Sequence, residues 1–70
     1  MITSLDIDNW FTYHPPVGTQ QDRYVAIRDK AKDLAILIIA NTPSCADQTA
    51  SIRKLREAIM IANAAIACNE

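Results

Sequence analysis

Apolar residues recur through the second half of this chain at spacings of three and four, so that Ile52, Leu55, Ile59, Ala62 and Ile66 line one helical face. Ala58, Met60, Ile61, Ala64, Ala65 and Ala67 fill the other faces, and Asn63 is the single polar residue between Ala58 and Cys68. A helix that is apolar all round is buried on more than one side. Burying an amide without partners costs roughly 1 to 3 kcal/mol, so Asn63 is expected to meet another helix or a ligand. An earlier stripe, Tyr24, Ile27, Ala31, Leu34 and Ile38, repeats the same period and ends in Leu34 to Ala40, which holds no polar residue.

The punctuation between these stripes predicts an all-α fold. Thr3 or Ser4 is a candidate N-cap for a short N-terminal helix over about 3–11, which Leu5, Trp10 and Phe11 would anchor. The prolines at 15 and 16 make 12–18 an ordered aromatic and proline-rich loop. Thr19 with Asp22 has the spacing of a capping box and opens a helix over about 20–41. Thr42 followed by Pro43 fits an N-cap with proline at the first helical position, which starts a last helix over about 43–68. So short a link allows only an antiparallel hairpin.

Size changes this picture. Seventy residues make one small domain, and a monomer of that length buries only about 60 % of its unfolded surface. Small scaffolds add disulfides, a metal or self-association. Cys45 and Cys68 are 23 positions apart on the predicted helix, roughly 35 Å at 1.5 Å per residue, which is beyond disulfide reach. They read as free buried thiols of a reducing compartment. A lone His14 with two such distant cysteines offers no metal spacing. Self-association is left, and the hairpin is expected to assemble as a homo-oligomer.

Charge narrows the function. The chain is 50% hydrophobic with a net charge of −1, whereas a domain that binds DNA or RNA polymer takes most of its affinity from phosphate neutralisation and is distinctly basic. No eighteen-residue apolar run and no basic leader occurs, so a cytosolic protein without a membrane span is expected. Catalysis has little to work with: one histidine, no glycine-rich phosphate loop and scattered carboxylates. All seven basic residues fall into two blocks, Arg23 to Lys32 and Arg53 to Arg56, which antiparallel packing brings to similar heights. One reading is a solvated face with Arg53 and Glu57 as an i,i+4 pair. The sharper one is a small cationic band near Tyr13, where a ring could stack on a base and Arg28 or Lys30 could meet a phosphate. Such a band suits a compact anion with one to three phosphates.

The ordered set Phe11-Thr12-Tyr13-His14-Pro15, Gln21 with Arg23-Tyr24, Ile27-Arg28, Leu34-Ala35, Ala58-Ile59-Met60 and Ala62-Asn63-Ala64-Ala65-Ile66-Ala67 resembles the phage anti-CBASS cyclic-oligonucleotide sponge family. Its relative, the Thoeris anti-defence sponge, shares the helical hairpin. The resemblance covers almost the whole chain and implies a homohexamer that sequesters host immune signals without cutting them. The ligands it implies are cyclic dinucleotides such as cyclic GMP-AMP, held between protomers, and in many members cyclic trinucleotides at separate sites. It implies a phage protein of the infected host's cytoplasm, with no cofactor and no catalytic residue. Carried over by position, Tyr13 matches the aromatic that stacks on a base and Arg28 the cation that meets a phosphate, a role associated with lysine in the family. His14, Pro15, Lys30 and Asn63 complete the candidate ligand-binding set. The alternative from another class is a structural helical adaptor that binds a protein partner through its apolar hairpin surface.

Overall fold

The computed structural model describes residues 1–70. It contains three helices and no strands: α1 (Ser4–Trp10), α2 (Gln20–Asn41) and α3 (Ala46–Asn69). α2 lies along α3, and α1 folds back against α3.

Each helix end has a chemical reason. Thr3 caps α1, with its hydroxyl accepting from the Asp6 N–H at 3.2 Å and its own N–H donating to the Asp6 carboxylate at 2.8 Å. The last carbonyls of α1 are taken up in turn: Ile7 accepts from the Phe11 N–H, Asp8 from the Thr12 hydroxyl, and Asn9 from His14 Nε2 at 2.7 Å. Before α2, Gly18 has φ +55° and Thr19 has φ −85° and ψ 3°, the values of a type II′ turn, which favours glycine at its first central position. Val17 and Gln20 close that turn reciprocally: the Gln20 N–H donates to the Val17 carbonyl, and the Val17 N–H donates to Gln20 Oε1, both at 3.0 Å.

The expected capping box at Thr19 and Asp22 is not made, because ψ near zero turns the Thr19 hydroxyl away from the first-turn amides. That hydroxyl instead accepts from Arg23 Nε at 3.1 Å. The last helix also starts later than expected, at Ala46 rather than near 43. Thr42 ends α2, its hydroxyl donating to the Ile38 carbonyl at 2.7 Å, while Gln48 Nε2 reaches back to the Thr42 carbonyl at 3.1 Å. Packed helix axes lie about 8 to 10 Å apart, and the chain crosses that gap with Thr42 and Cys45 in extended geometry. Cys45 is consequently exposed rather than buried, and both cysteines are free.

The seam follows the predicted faces with one exchange. Ile52, Leu55, Ile59 and Ala62 are half-buried and Ile66 is buried at 9 % exposure, opposite half-buried Tyr24, Ile27, Ala31, Ala35 and Ile38. Ala35 takes the place expected for Leu34, which points to solvent. The 3.6-residue turn lets either position follow Ala31, and the smaller side chain allows the closer approach.

Two helices side by side make a single layer. The molecule measures 44 × 30 × 14 Å, and 14 Å is little more than the diameter of one helix with its side chains, about 10 to 12 Å. Its radius of gyration is 15.2 Å, against about 11 Å for a compact domain of this length. Its accessible surface is 5716 Å², about 1,300 Å² more than a folded monomer of this mass exposes. Ile36, Leu37 and Ile39 on α2 and Met60 and Ile61 on α3 make up much of the excess. Leu5 and Phe11, expected as anchors of α1, are exposed as well, whereas Trp10 keeps about half its surface covered in a cleft with Ile61, Ala64 and Ala65 of α3. A polar contact adds to it, Asn9 Nδ2 donating to the Cys68 carbonyl at 2.9 Å. Asn9→Ala is expected to free α1 at a cost of about 1 kcal/mol; amide exchange from Ser4 to Trp10 should accelerate while the α2–α3 seam keeps its protection.

A second clasp joins the start of α2 to the end of α3. Arg23 forks onto both carboxylate oxygens of Glu70, and Gln20, at 6 % exposure the most buried residue of the chain, donates to Glu70 Oε1 at 3.4 Å. The Arg23 guanidinium pulls the Glu70 carboxyl from its usual 4.5 down to about 2, partial desolvation opposes that, and the Gln20 amide adds to it. A carboxyl depressed in the folded state is protonated first in the unfolded chain, so the clasp's contribution is complete above about pH 4.5 and fades as pH falls toward 2. Glu70→Gln should therefore lower the melting temperature at pH 6, and the gap to wild type should close on acidification to pH 2; a gap that does not depend on pH would rule out the ion pair as its source.

Candidate functional site

Asn9, His14, Gln20, Arg23 and Glu70 gather α1, the loop and the first turn of α2 at the C-terminal end of α3. This end positions the aromatic loop. Tyr13 is 81 % exposed beside half-buried His14 and makes no hydrogen bond. His14 has Nε2 committed to the Asn9 carbonyl, so only Nδ1 is free for another partner, and the ring's first role is to hold the loop. Pro15 is exposed and stiffens the exit. Phe11 is exposed as well.

Arg28 stands two turns along α2 from Gln20, about 12 Å at 1.5 Å per residue. It opens onto a groove of about 300 Å³ on one side of the seam. Arg28 and Lys32, four residues apart, form one wall; Arg56 and Met60, also four apart, form the other; Ala31, Ala35, Ile52, Leu55 and Ile59 make the floor. No acidic residue lines it. The two ion pairs of the chain are Arg23 with Glu70 and Lys54 with Glu57, so Arg28, Lys32 and Arg56 make no direct ion pair. Glu57 pairs with Lys54 at 3.4 Å rather than with Arg53 as the i,i+4 spacing suggested.

Lys30, the other candidate phosphate ligand, lines a different groove with Ala26, Ile27 and Leu34 on the far side of the seam. The structure thus separates the two cations that sequence alone left interchangeable. Within one chain, Tyr13 lines none of the principal grooves, and it shares no groove with Arg28. Sequence reasoning placed Lys32 and Arg56 in the two basic blocks without singling them out; the structure sets both on the groove that Arg28 borders. No three His, Cys, Asp or Glu side chains lie close enough to hold a metal ion, and no helix is long and apolar enough to cross a membrane.

Asn63 is half-buried in the last third of α3, and its Oδ1 is buried with no donor in reach. A family model for the Acb2/Tad1 hairpin domain matches residues 4–67, which takes in all of α1 and α2 and nearly all of α3. The chain belongs to the Acb2/Tad1 hairpin-domain family. No curated protein and no solved structure gives a significant match. This is the anti-CBASS and anti-Thoeris sponge family to which the residue pattern pointed. Its members are sponge-like phage anti-defence proteins, and the Acb2/Tad1 hairpin is a binding domain rather than a known enzyme. The Asn63 oxygen is covered by the chain's own atoms, so leaving it unpaired costs the fold the desolvation of that carbonyl. If no donor reaches it inside the protomer, Asn63→Leu should leave the unfolding free energy of the single chain unchanged or raised; a loss of about 1 kcal/mol or more in urea denaturation would reveal an internal partner.

Proposed function

We propose that this protein binds and sequesters cyclic dinucleotide second messengers of host anti-phage signalling, without cleaving them, in the cytoplasm of the infected bacterium. The observation that carries the reading is the pairing of an exposed ring on a pinned loop, Tyr13, with an unpaired cation, Arg28, in a chain of the Acb2/Tad1 hairpin family. The ring stacks on a base, and the guanidinium takes a phosphate by charge-assisted hydrogen bonds. Tyr13 does not line the groove of Arg28 within one chain, and in this reading the two meet between protomers, Tyr13 of one copy facing Arg28 of another.

The surplus of about 1,300 Å² of surface supports such an assembly, since one partner of a standard interface buries about 800 Å². The homohexamer that the family resemblance implies would cover the flanks at Ile36, Leu37, Met60 and Ile61 and the cleft of Trp10, Ile61, Ala64, Ala65 and Cys68. A symmetric assembly presents a two-fold pocket to a two-fold ligand. His14 through Nδ1, Pro15 and Asn63 line or order that pocket, and Lys30 on the opposite flank is the cation for a separate site, of the kind cyclic trinucleotides take. Lowering free messenger below the threshold of its effector needs tight binding and abundant protein, not turnover.

The same uncovered flanks favour a second reading, a helical adaptor for a protein partner, and one experiment separates the two. Across a panel of cyclic di- and trinucleotides, a ligand supplied at 100 times its Kd should raise the melting temperature by more than about 5 °C. An adaptor shows no shift with any of them. Bound ligand should be recovered intact after denaturation; linear products would make the protein a nuclease. Tyr13→Ala should weaken binding by about 10- to 100-fold while the assembly persists, as loss of one stacked base requires.

A further inference from the structure

Tyr13 is 81 % exposed and makes no hydrogen bond, yet the residues on both sides of it are tied down. Thr12 donates its hydroxyl to the Asp8 carbonyl, and His14 bonds through Nε2 to the Asn9 carbonyl at 2.7 Å. Both acceptors belong to the last turn of α1, where carbonyls have no partner inside the helix. Pro15 and Pro16 follow, so the backbone at His14 is kept out of helical geometry and the loop exit is stiff. Asn9 carries the placement onward, since its side chain donates from Nδ2 to the Cys68 carbonyl of α3 at 2.9 Å. One residue thus holds the loop with its backbone and α3 with its side chain.

The His14 bond also decides where the ring keeps its proton. A carbonyl only accepts, so Nε2 donates, and in the neutral imidazole Nδ1 is left as a bare acceptor. A phosphate oxygen is an acceptor too. The free nitrogen of the neutral ring has nothing to offer the anionic part of a nucleotide, whereas the committed nitrogen holds the loop. We propose that His14 is a positioning residue and not a ligand contact: with Asn9 it fixes the Tyr13 ring relative to α3, so that the ring meets a base with its loop already ordered. The inference rests on the proposed function for the base that Tyr13 stacks on, and it adds a pair of residues, Asn9 and His14, that serve binding without touching the ligand. A loop ordered in advance loses less freedom when the ligand arrives.

The test uses the full chain and two amide substitutions that separate the ring nitrogens, because a glutamine amide reaches about as far as Nε2 and an asparagine amide about as far as Nδ1. In ¹⁵N spectra the neutral His14 ring should carry its proton on Nε2, and the heteronuclear NOE of the Tyr13 amide should match those of α1. His14→Ala and His14→Asn should lower that NOE, and His14→Gln should restore it. Calorimetric titration with 3′,3′-cyclic GMP-AMP should follow the same order, with affinity weakened about three- to tenfold in His14→Ala and His14→Asn and recovered in His14→Gln. Asn9→Ala should weaken binding to a similar degree while His14 keeps its Nε2 proton, because it cuts the path one step further on. If His14→Asn keeps the affinity and His14→Gln loses it, Nδ1 touches the ligand; the positioning role is overturned and the sponge reading stands. The same follows if wild type and variants bind equally, or if His14→Gln restores neither quantity. If no cyclic nucleotide binds the wild type but the NOE falls and recovers in the stated order, the positioning role stands and the sponge reading falls. A protein that binds none of them and whose Tyr13 NOE ignores every substitution overturns both.

Discussion

Two antiparallel helices make one layer, and one layer has two flanks. Globular domains hide their apolar surface by stacking at least two layers around a core, yet this protein is 14 Å thick and buries one hydrophobic residue, Ile66, below a tenth of its surface. The α2–α3 seam is satisfied from within. Within the chain no second layer covers Ile36, Leu37 and Ile39 on one helix or Met60 and Ile61 on the other.

The polar clasps at the open end of the hairpin matter more because the hydrophobic seam is thin. Asn9 on the Cys68 carbonyl and Arg23 with Gln20 on Glu70 tie α1 and the first turn of α2 to the last turn of α3. Hydrogen bonds have direction where apolar contacts do not, so this end is oriented by its polar groups. His14 continues the chain of bonds through Asn9. The result is a loop whose backbone is pinned while Phe11 and Tyr13 stay open to solvent. Pre-ordered, uncovered rings are suited to binding because little rotational freedom is lost when a base or a neighbouring protomer arrives.

Charge follows a comparable division. The acidic residues that pair do so at the open end or on the outer face of α3, through Glu70 and Glu57. Arg28, Lys32 and Arg56 make no ion pair. A net charge near zero gives nucleic-acid polymer little to hold, because its binding depends on many phosphate contacts at once. The Acb2/Tad1 hairpin is a binding domain rather than a known enzyme, and in this chain Tyr13 is exposed and Arg28 makes no ion pair.

The sequence by itself determined which segments are helical, that the hairpin is antiparallel and which face of α3 meets α2. These properties depend on residue type and on spacing along one axis, and both are written in the chain. Only the tertiary structure decided that Ala35 and not Leu34 enters the seam, that Arg28 and Lys30 fall on opposite flanks, and that Arg56 joins Arg28 and Lys32. Spacing fixes the angle of a side chain about its own helix, whereas the rotation of one helix against another is set by how their surfaces interlock. The start of α3 was hidden for a related reason: Thr42 and Pro43 allow a helix to begin at 43, but the distance the chain must cross between packed axes delays it to Ala46. Leu5 and Phe11 misled because apolar character was equated with anchoring, whereas α1 is tied to α3 by the polar Asn9 and by Trp10, which keeps about half its surface covered in a cleft of α3.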